Sequence, residues 1–212
     1  MRNNKPLPEG NRVCWIKLLA TICLLVPATA SKSESGESVL SASPAITQLL
    51  PAESQPNRSL TARDAYAKWK AEAEKPIILD VRTPEEFLFV GHPVMAWNVP
   101  VAAQTYVWDS ATGQFPMRPL PDFVSRVEQI AQHDDTLLVM CRSGCRSAQV
   151  VETLTRAGFS NVYNITDGME GDLVNDPNSV FNGQRMVNGW KNSGLPWTYD
   201  VDPKRMVLPP SP

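Results

Sequence analysis

The residues of this chain best suited to chemistry lie within ten positions, 139–148 (VMCRSGCRSA), where an apolar run ends at Cys141 and a short Arg/Ser/Gly loop leads into a helical pattern. Residues 136–140 (TLLVM) read as a buried strand, and Ala148, Val151 and Leu154 recur at helical spacing. Cys141 therefore falls where a strand gives way to a helix. Backbone N–H groups converge at such a junction, and unpaired amides with the positive end of the helix dipole favour an anion there, whether a thiolate, a persulfide or a bound oxyanion. Arg142 and Arg146 add two permanent positive charges. These surroundings favour the thiolate of a nucleophilic cysteine over its thiol. The hydroxyls of Ser143 and Ser147 can bond the sulfur or cap the helix, and Ser147 stands where an N-cap is expected.

Cys145 admits two readings. It occupies an outward-facing loop position, or it attacks the Cys141 sulfur of a persulfide, expels the outer sulfur as sulfide and closes a protective disulfide. The first is favoured, because a bond between cysteines four positions apart would distort the loop that makes Cys141 reactive.

Other polar residues carry blander expectations. Asp80 and Arg82 follow an apolar strand and read as structural. His92, in a Gly-His-Pro turn, and His133, in a polar loop, lie near no pattern suggesting metal ligation or general-base duty. Trp69, Trp97, Trp108, Trp190 and Trp197 read as core and rim packing, and no metal site is expected.

The elements that must position this loop alternate along the chain. Thr61 opens a helix over 61–74 with Ala62, Ala65, Tyr66, Trp69 and Ala73 on one face, and residues 77–79 form a strand after Pro76. Thr83, Pro84 and Glu86 stand at the N-cap, N1 and N3 positions of a short helix toward Val90. A strand over 94–99, a helix over 122–131, the strand into Cys141, a helix closed by Gly158 and a strand over 162–165 complete the series. Strands separated by helices predict an α/β fold, a parallel sheet with helices on both faces, whose ligand site lies beyond the carboxyl ends of the strands. Residues 101–121 and 168–188 exceed ordinary connections in length, and either rim the site or decorate the surface.

The first thirty residues stand apart. Arg2, Lys5, Arg12 and Lys17 precede an apolar run at 18–26, then Pro27 and the small-residue pattern Ala28-Thr29-Ala30, the layout of a cleaved secretory signal with an uncleaved anchor as alternative. Cleavage near Ala30 would export the protein, to the periplasm on this reading, and discard Cys14 and Cys23. It would also move the formal charge from −2 to −5, with no basic footprint for nucleic acid and no membrane contact beyond export. Residues 31–58, rich in Ser, Glu and Pro, read as a flexible linker in which 45–50 (AITQLL) is expected to form one helical turn. The domain is expected over 59–200, with 201–212 as a tail. Two cysteines remaining in so long a mature chain are too few for a disulfide scaffold, so stability must come from a core.

The loop CRSGCRS, preceded by 77–87 (IILDVRTPEEF) and 91–100 (GHPVMAWNVP) and followed by 158–172 (GFSNVYNITDGMEGD) and 189–197 (GWKNSGLPW), closely resembles a single-domain rhodanese over roughly residues 60–197. The resemblance implies a rhodanese-like domain and a sulfurtransferase of the thiosulfate:cyanide or thiosulfate:thiol type. In it Cys141 is the catalytic nucleophile, and Arg142, Ser143, Gly144, Cys145, Arg146 and Ser147 bind the substrate. It implies a small anionic sulfur donor and a thiophilic acceptor as partners, and no cofactor. The related cell-cycle phosphatases, which resemble rhodaneses in fold, use C-x5-R, whereas here Cys141 and Arg146 are spaced C-x4-R. The smaller ring suits the terminal sulfur of a persulfide rather than a phosphate. Two alternatives stand beside this reading: a thiol or persulfide redox protein using Cys141 and Cys145, and a non-catalytic sulfur carrier. Cys141 with both arginines argues against an inactive module.

Overall fold

A computed structural model describes residues 58–210, which fall within one compact unit, Pro56–Pro212. The expected signal sequence, nearly all of the expected linker and the helical turn expected at 45–50 lie outside the described residues.

In chain order the elements are β1 (Ser59–Leu60), α1 (Ala62–Ala71), β2 (Ile77–Asp80), α2 (Pro84–Val90), β3 (His92–Pro93), β4 (Trp97–Asn98), β5 (Ala102–Gln104), β6 (Met117–Pro119), α3 (Phe123–Val127), β7 (Thr136–Met140), α4 (Cys145–Arg156), β8 (Asn161–Ile165) and β9 (Trp197–Thr198). Five strands make one sheet in the order β1-β8-β7-β2-β4, every neighbouring pair parallel. This is the expected α/β sheet, with β7, the strand that delivers Cys141, at its centre.

The two faces of the sheet follow from the period-2 alternation of strand side chains. On one face Leu79, Leu137, Val139 and Val162 pack with Phe123 and Val127 of α3 and with Val150 and Leu154 of α4. On the other, Ile78, Leu138, Met140 and Ile165 pack with Ala62 and Ala65 of α1, Phe87 of α2 and the buried Trp190. Cys141 continues the first set and is itself 1% exposed.

Both helix-start signals are realised. The Thr61 hydroxyl accepts from the Asp64 amide, and Thr83 forms a complete capping box with Glu86 behind Pro84. Gly158, just past the end of α4, takes φ +99°. Element ends differ from expectation. α1 stops at Ala71 rather than 74, where Glu72 turns to extended backbone and the Lys75 ammonium bonds the Lys70 and Glu72 carbonyls. α3 spans only Phe123–Val127, with turns beyond it. The strand expected over 94–99 is a two-residue β4 preceded by β3, which pairs antiparallel with the distant β9, a partner that local pattern does not reveal. Residues 101–121 contain the β5–β6 hairpin. The segment read as a tail returns to the sheet edge, where the Val207 amide donates to the Asn98 carbonyl at 2.8 Å and Arg126 reaches the Val207 carbonyl.

Candidate active site around Cys141

β7 ends at Met140, so Cys141 is the first residue beyond the carboxyl end of the central strand. α4 begins at Cys145 rather than at Ala148, with Gly144 as its N-cap. Ser147 is therefore not the cap but sits inside the first turn, fully buried. Its Oγ donates to the Gly144 carbonyl at 3.1 Å and lies 3.4 Å from Cys141 Sγ. Of the two serines, Ser147 is the one brought to the sulfur; Ser143 is half-buried in the loop.

The loop is held open from below by a second segment. The Met169 and Glu170 amides donate to the Cys141 and Arg142 carbonyls, both at 2.9 Å. Two glycines permit this approach. Gly144, at φ +86°, has its α-carbon against the Thr166 carbonyl, and Gly168, at φ +58°, lies against the Cys141 carbonyl; a Cβ at either position would collide with backbone. Asp167 ties the layer together, one carboxylate oxygen accepting from the Ala62 amide at 2.7 Å and the other from the Gly189 amide at 3.0 Å. With the loop carbonyls so engaged, the amides of Arg142, Ser143, Gly144, Arg146 and Ser147 donate no hydrogen bond among the described residues. Backbone amides without a protein acceptor are open to an anion at a helix start. The site thus offers several backbone donors beside a sulfur nucleophile.

The two arginines of the loop have different surroundings. Arg142 is exposed and makes no ion pair among the described residues. Arg146 is 13% exposed and forks onto Glu86, Nη1 to Oε2 at 2.8 Å and Nη2 to Oε1 at 2.5 Å. Burial opposes the Arg146 charge, but the hydrogen bonds and charge of Glu86, aided by Cys141, outweigh it and hold its pKa above the ordinary arginine value. Burial likewise works against the Glu86 carboxylate, yet Arg146 and the Thr83 amide hold it below the ordinary glutamate value. The sequence shows Glu86 only as a capping residue; that the same carboxylate anchors the Cys141 loop across sixty positions follows from the fold.

A testable consequence follows from the sign of that shift. A carboxylate with a depressed folded pKa contributes stability above its unfolded value, about 4.3, and loses it as pH falls through the folded value. Glu86→Gln keeps the shape and should cost about 1–3 kcal/mol near neutral pH. Urea unfolding as a function of pH should show the gap between parent and variant closing below pH ~4; a gap independent of pH would remove the ion pair from the account.

Cys141 is a free thiol and is not bonded to Cys145, which is exposed in the first turn of α4. Asp80 and Arg82 form a wholly buried ion pair behind the site. His92 stacks on Phe87 at 3.7 Å, and burial holds its pKa below the ordinary histidine value; His133 leans on Phe159. Among the five tryptophans considered, only Trp190 is fully buried, and Trp108 is exposed on the β5–β6 hairpin beside Phe115. Both long excursions reach the site: Met117 Sδ of the hairpin lies 3.6 Å from Arg146 Nη1, and Arg185 of the later excursion donates to the Gly171 carbonyl at 2.6 Å, next to Glu170. Neither contact has a local sequence signal.

Residues 62–173 match the family model of the rhodanese-like domain, and the chain belongs to that family. Thiosulfate sulfurtransferase 16, chloroplastic, of Arabidopsis thaliana is 41% identical over 90 residues, which are 42% of this chain and 68% of that protein. Senescence-associated protein DIN1 of Raphanus sativus is 38% identical over 90 residues, 42% of this chain but only 44% of that protein. Among solved structures, Rv0390 from M. tuberculosis aligns with a TM-score of 0.52 at 27% identity, covering 67% of this chain and 97% of that one.

Proposed function

We propose that this protein is an exported sulfurtransferase that carries a sulfane sulfur on Cys141. The observation that carries the reading is a free cysteine at the end of the central strand, in a loop where the amides of Arg142, Ser143, Gly144, Arg146 and Ser147 meet no acceptor among the described residues. The similarity to a thiosulfate sulfurtransferase supports it.

In the first displacement the Cys141 thiolate attacks the outer sulfur of thiosulfate or a comparable anionic donor. The donor's S–S bond breaks, its electron pair leaves on sulfite, and Cys141 becomes a persulfide anion. The loop amides, with Arg142, receive the negative charge that passes through the loop. In the second displacement cyanide or a thiolate attacks the terminal sulfur, and the Cys141–sulfur bond breaks to regenerate the thiolate. Ser147 Oγ, within reach of Sγ, can donate to sulfur in both states. Arg146, tied to Glu86, holds the loop shape and adds its charge from behind. Export rests on the arrangement of residues 1–30, and would place this chemistry in the periplasm.

Intact-mass measurement after incubation with thiosulfate and removal of excess donor tests the proposal. A gain of about 32 Da, one sulfur atom, should appear and map to Cys141. Cyanide should then discharge it. No adduct, or an adduct elsewhere, overturns the assignment.

A further inference from the structure

The family match ends at residue 173, and the excursion that follows brings one charged side chain back to the site. Arg185 is half-buried and pairs across the excursion with Leu173 in an isolated antiparallel bridge. Its carbonyl is held by the Asn192 side chain at 3.1 Å, and that same amide also grips the Glu170 and Asn188 carbonyls. Backbone and side chain are therefore both fixed to the segment that supports the Cys141 loop. Arg185 Nη1 donates to the Gly171 carbonyl, and the adjacent Glu170 amide donates to the Arg142 carbonyl.

No carboxylate among the described residues lies within ion-pair distance of the guanidinium so placed, and Glu170 and Asp172 act on its charge only from farther off. Among the described residues Arg185 makes no ion pair, and its remaining N–H donors have no hydrogen-bond partner. Arg142, exposed, makes no ion pair among the described residues either, and its carbonyl is held by the Glu170 amide, next to the Gly171 carbonyl that Arg185 binds. Burial and then the like charge of Arg142 depress the Arg185 pKa, while Glu170, Asp172 and Cys141 act in the opposite sense, so both loop residues lie within its field. Two like charges held near one another without a counter-ion repel, and an anion between them removes the repulsion. The contrast is Arg146, whose charge is already spent on Glu86.

We infer that Arg185 is a substrate-binding residue, which together with Arg142 takes an oxyanion group of the sulfur compound lying outside the Cys141 loop. This deepens the sulfurtransferase reading by naming the substrate class: a donor whose negative oxygens sit at a distance from the sulfur that moves. The planar fork of an arginine suits a sulfonate or carboxylate alike.

The test is chosen to read anion attraction at Cys141 without sulfur transfer. Iodoacetate and iodoacetamide alkylate the same sulfur and differ in one carboxylate, so the ratio of their rate constants at Cys141, followed by peptide mass, reports the local preference for an anion. Arg185→Gln should lower that ratio by about fivefold, the effect of one charge at a partly exposed site, and added salt should compress the difference. Arg185→Lys, which keeps the charge, should stay near the parent ratio. An unchanged ratio in Arg185→Gln, or an equal fall in both variants, would show that Arg185 only braces Gly171 and overturns the inference. Thiosulfate labelling of the parent, run alongside, separates the two claims. A sulfur adduct with an unmoved ratio defeats the role of Arg185 alone, and a lowered ratio without an adduct sustains the anion site while defeating sulfur transfer.

Discussion

Cys141→Ser is expected to reduce thiosulfate-dependent thiocyanate formation by at least about 10³-fold, the scale on which enzymes lose turnover when the nucleophile is removed. The serine hydroxyl remains protonated in this loop, so neither the first displacement nor the persulfide is available to it. The fold should survive. Oγ and Sγ occupy nearly the same place, and Ser147 Oγ, 3.4 Å from Sγ, offers a hydrogen bond to the new hydroxyl. Urea unfolding should therefore place the variant within about 2 kcal/mol of the parent. A variant that still turns over at a comparable rate would exclude Cys141 as the sulfur carrier.

Asp80→Asn is expected to have the largest effect on stability, about 3–5 kcal/mol, because it leaves a buried charge uncompensated. Both partners of the Asp80–Arg82 pair are 0% exposed. Burial opposes the Arg82 charge, and Asp80 outweighs it and holds the pKa above the ordinary arginine value. Asp80 accepts from Arg82 Nε at 2.9 Å and from Nη2 at 2.6 Å, while Nη2 also reaches the Gly91 carbonyl at 2.8 Å. The pair thus joins the end of β2 to the C-cap of α2, and α2 carries the Glu86 that holds Arg146. A loss of this size is a large part of the 5–15 kcal/mol that ordinarily stabilises a domain. Adding Arg82→Met to Asp80→Asn removes the stranded charge and should recover much of the loss in urea unfolding. If the double variant is no more stable than Asp80→Asn, packing rather than charge accounts for the effect.

The two effects differ in how far they could be anticipated. Cys141 is legible in the sequence because strand end, small loop and helix start are all local: TLLVM ends where an apolar run meets Arg and Gly, and the nearest turn of helix must follow. The α/β class is legible for the same reason. Apolar runs of strand length alternate with capped helices, and Thr83-Pro84-Glu86 fixes a helix start within four residues. Helix and strand ends were less legible: α1 ends at Ala71 with no glycine or proline to mark the place, and the pairing of β3 depends on β9, over a hundred residues away.

By itself, then, the sequence determined the place of Cys141 between strand and helix, the order of the main helices and strands and the parallel sheet, because each rests on periodicity, caps and turn residues acting over a few positions. Only the tertiary structure decided which charges serve the site. It pairs Arg146 with Glu86, buries Arg82 against Asp80, and leaves Arg142 and Arg185 with no ion pair among the described residues. It also decided that Ser147 meets the sulfur rather than capping the helix, and that the segment after residue 200 returns to β4. Ion pairs and hydrogen bonds depend on distances of a few ångströms between residues remote in sequence, and folding sets those distances only when the whole sheet and its layers are packed.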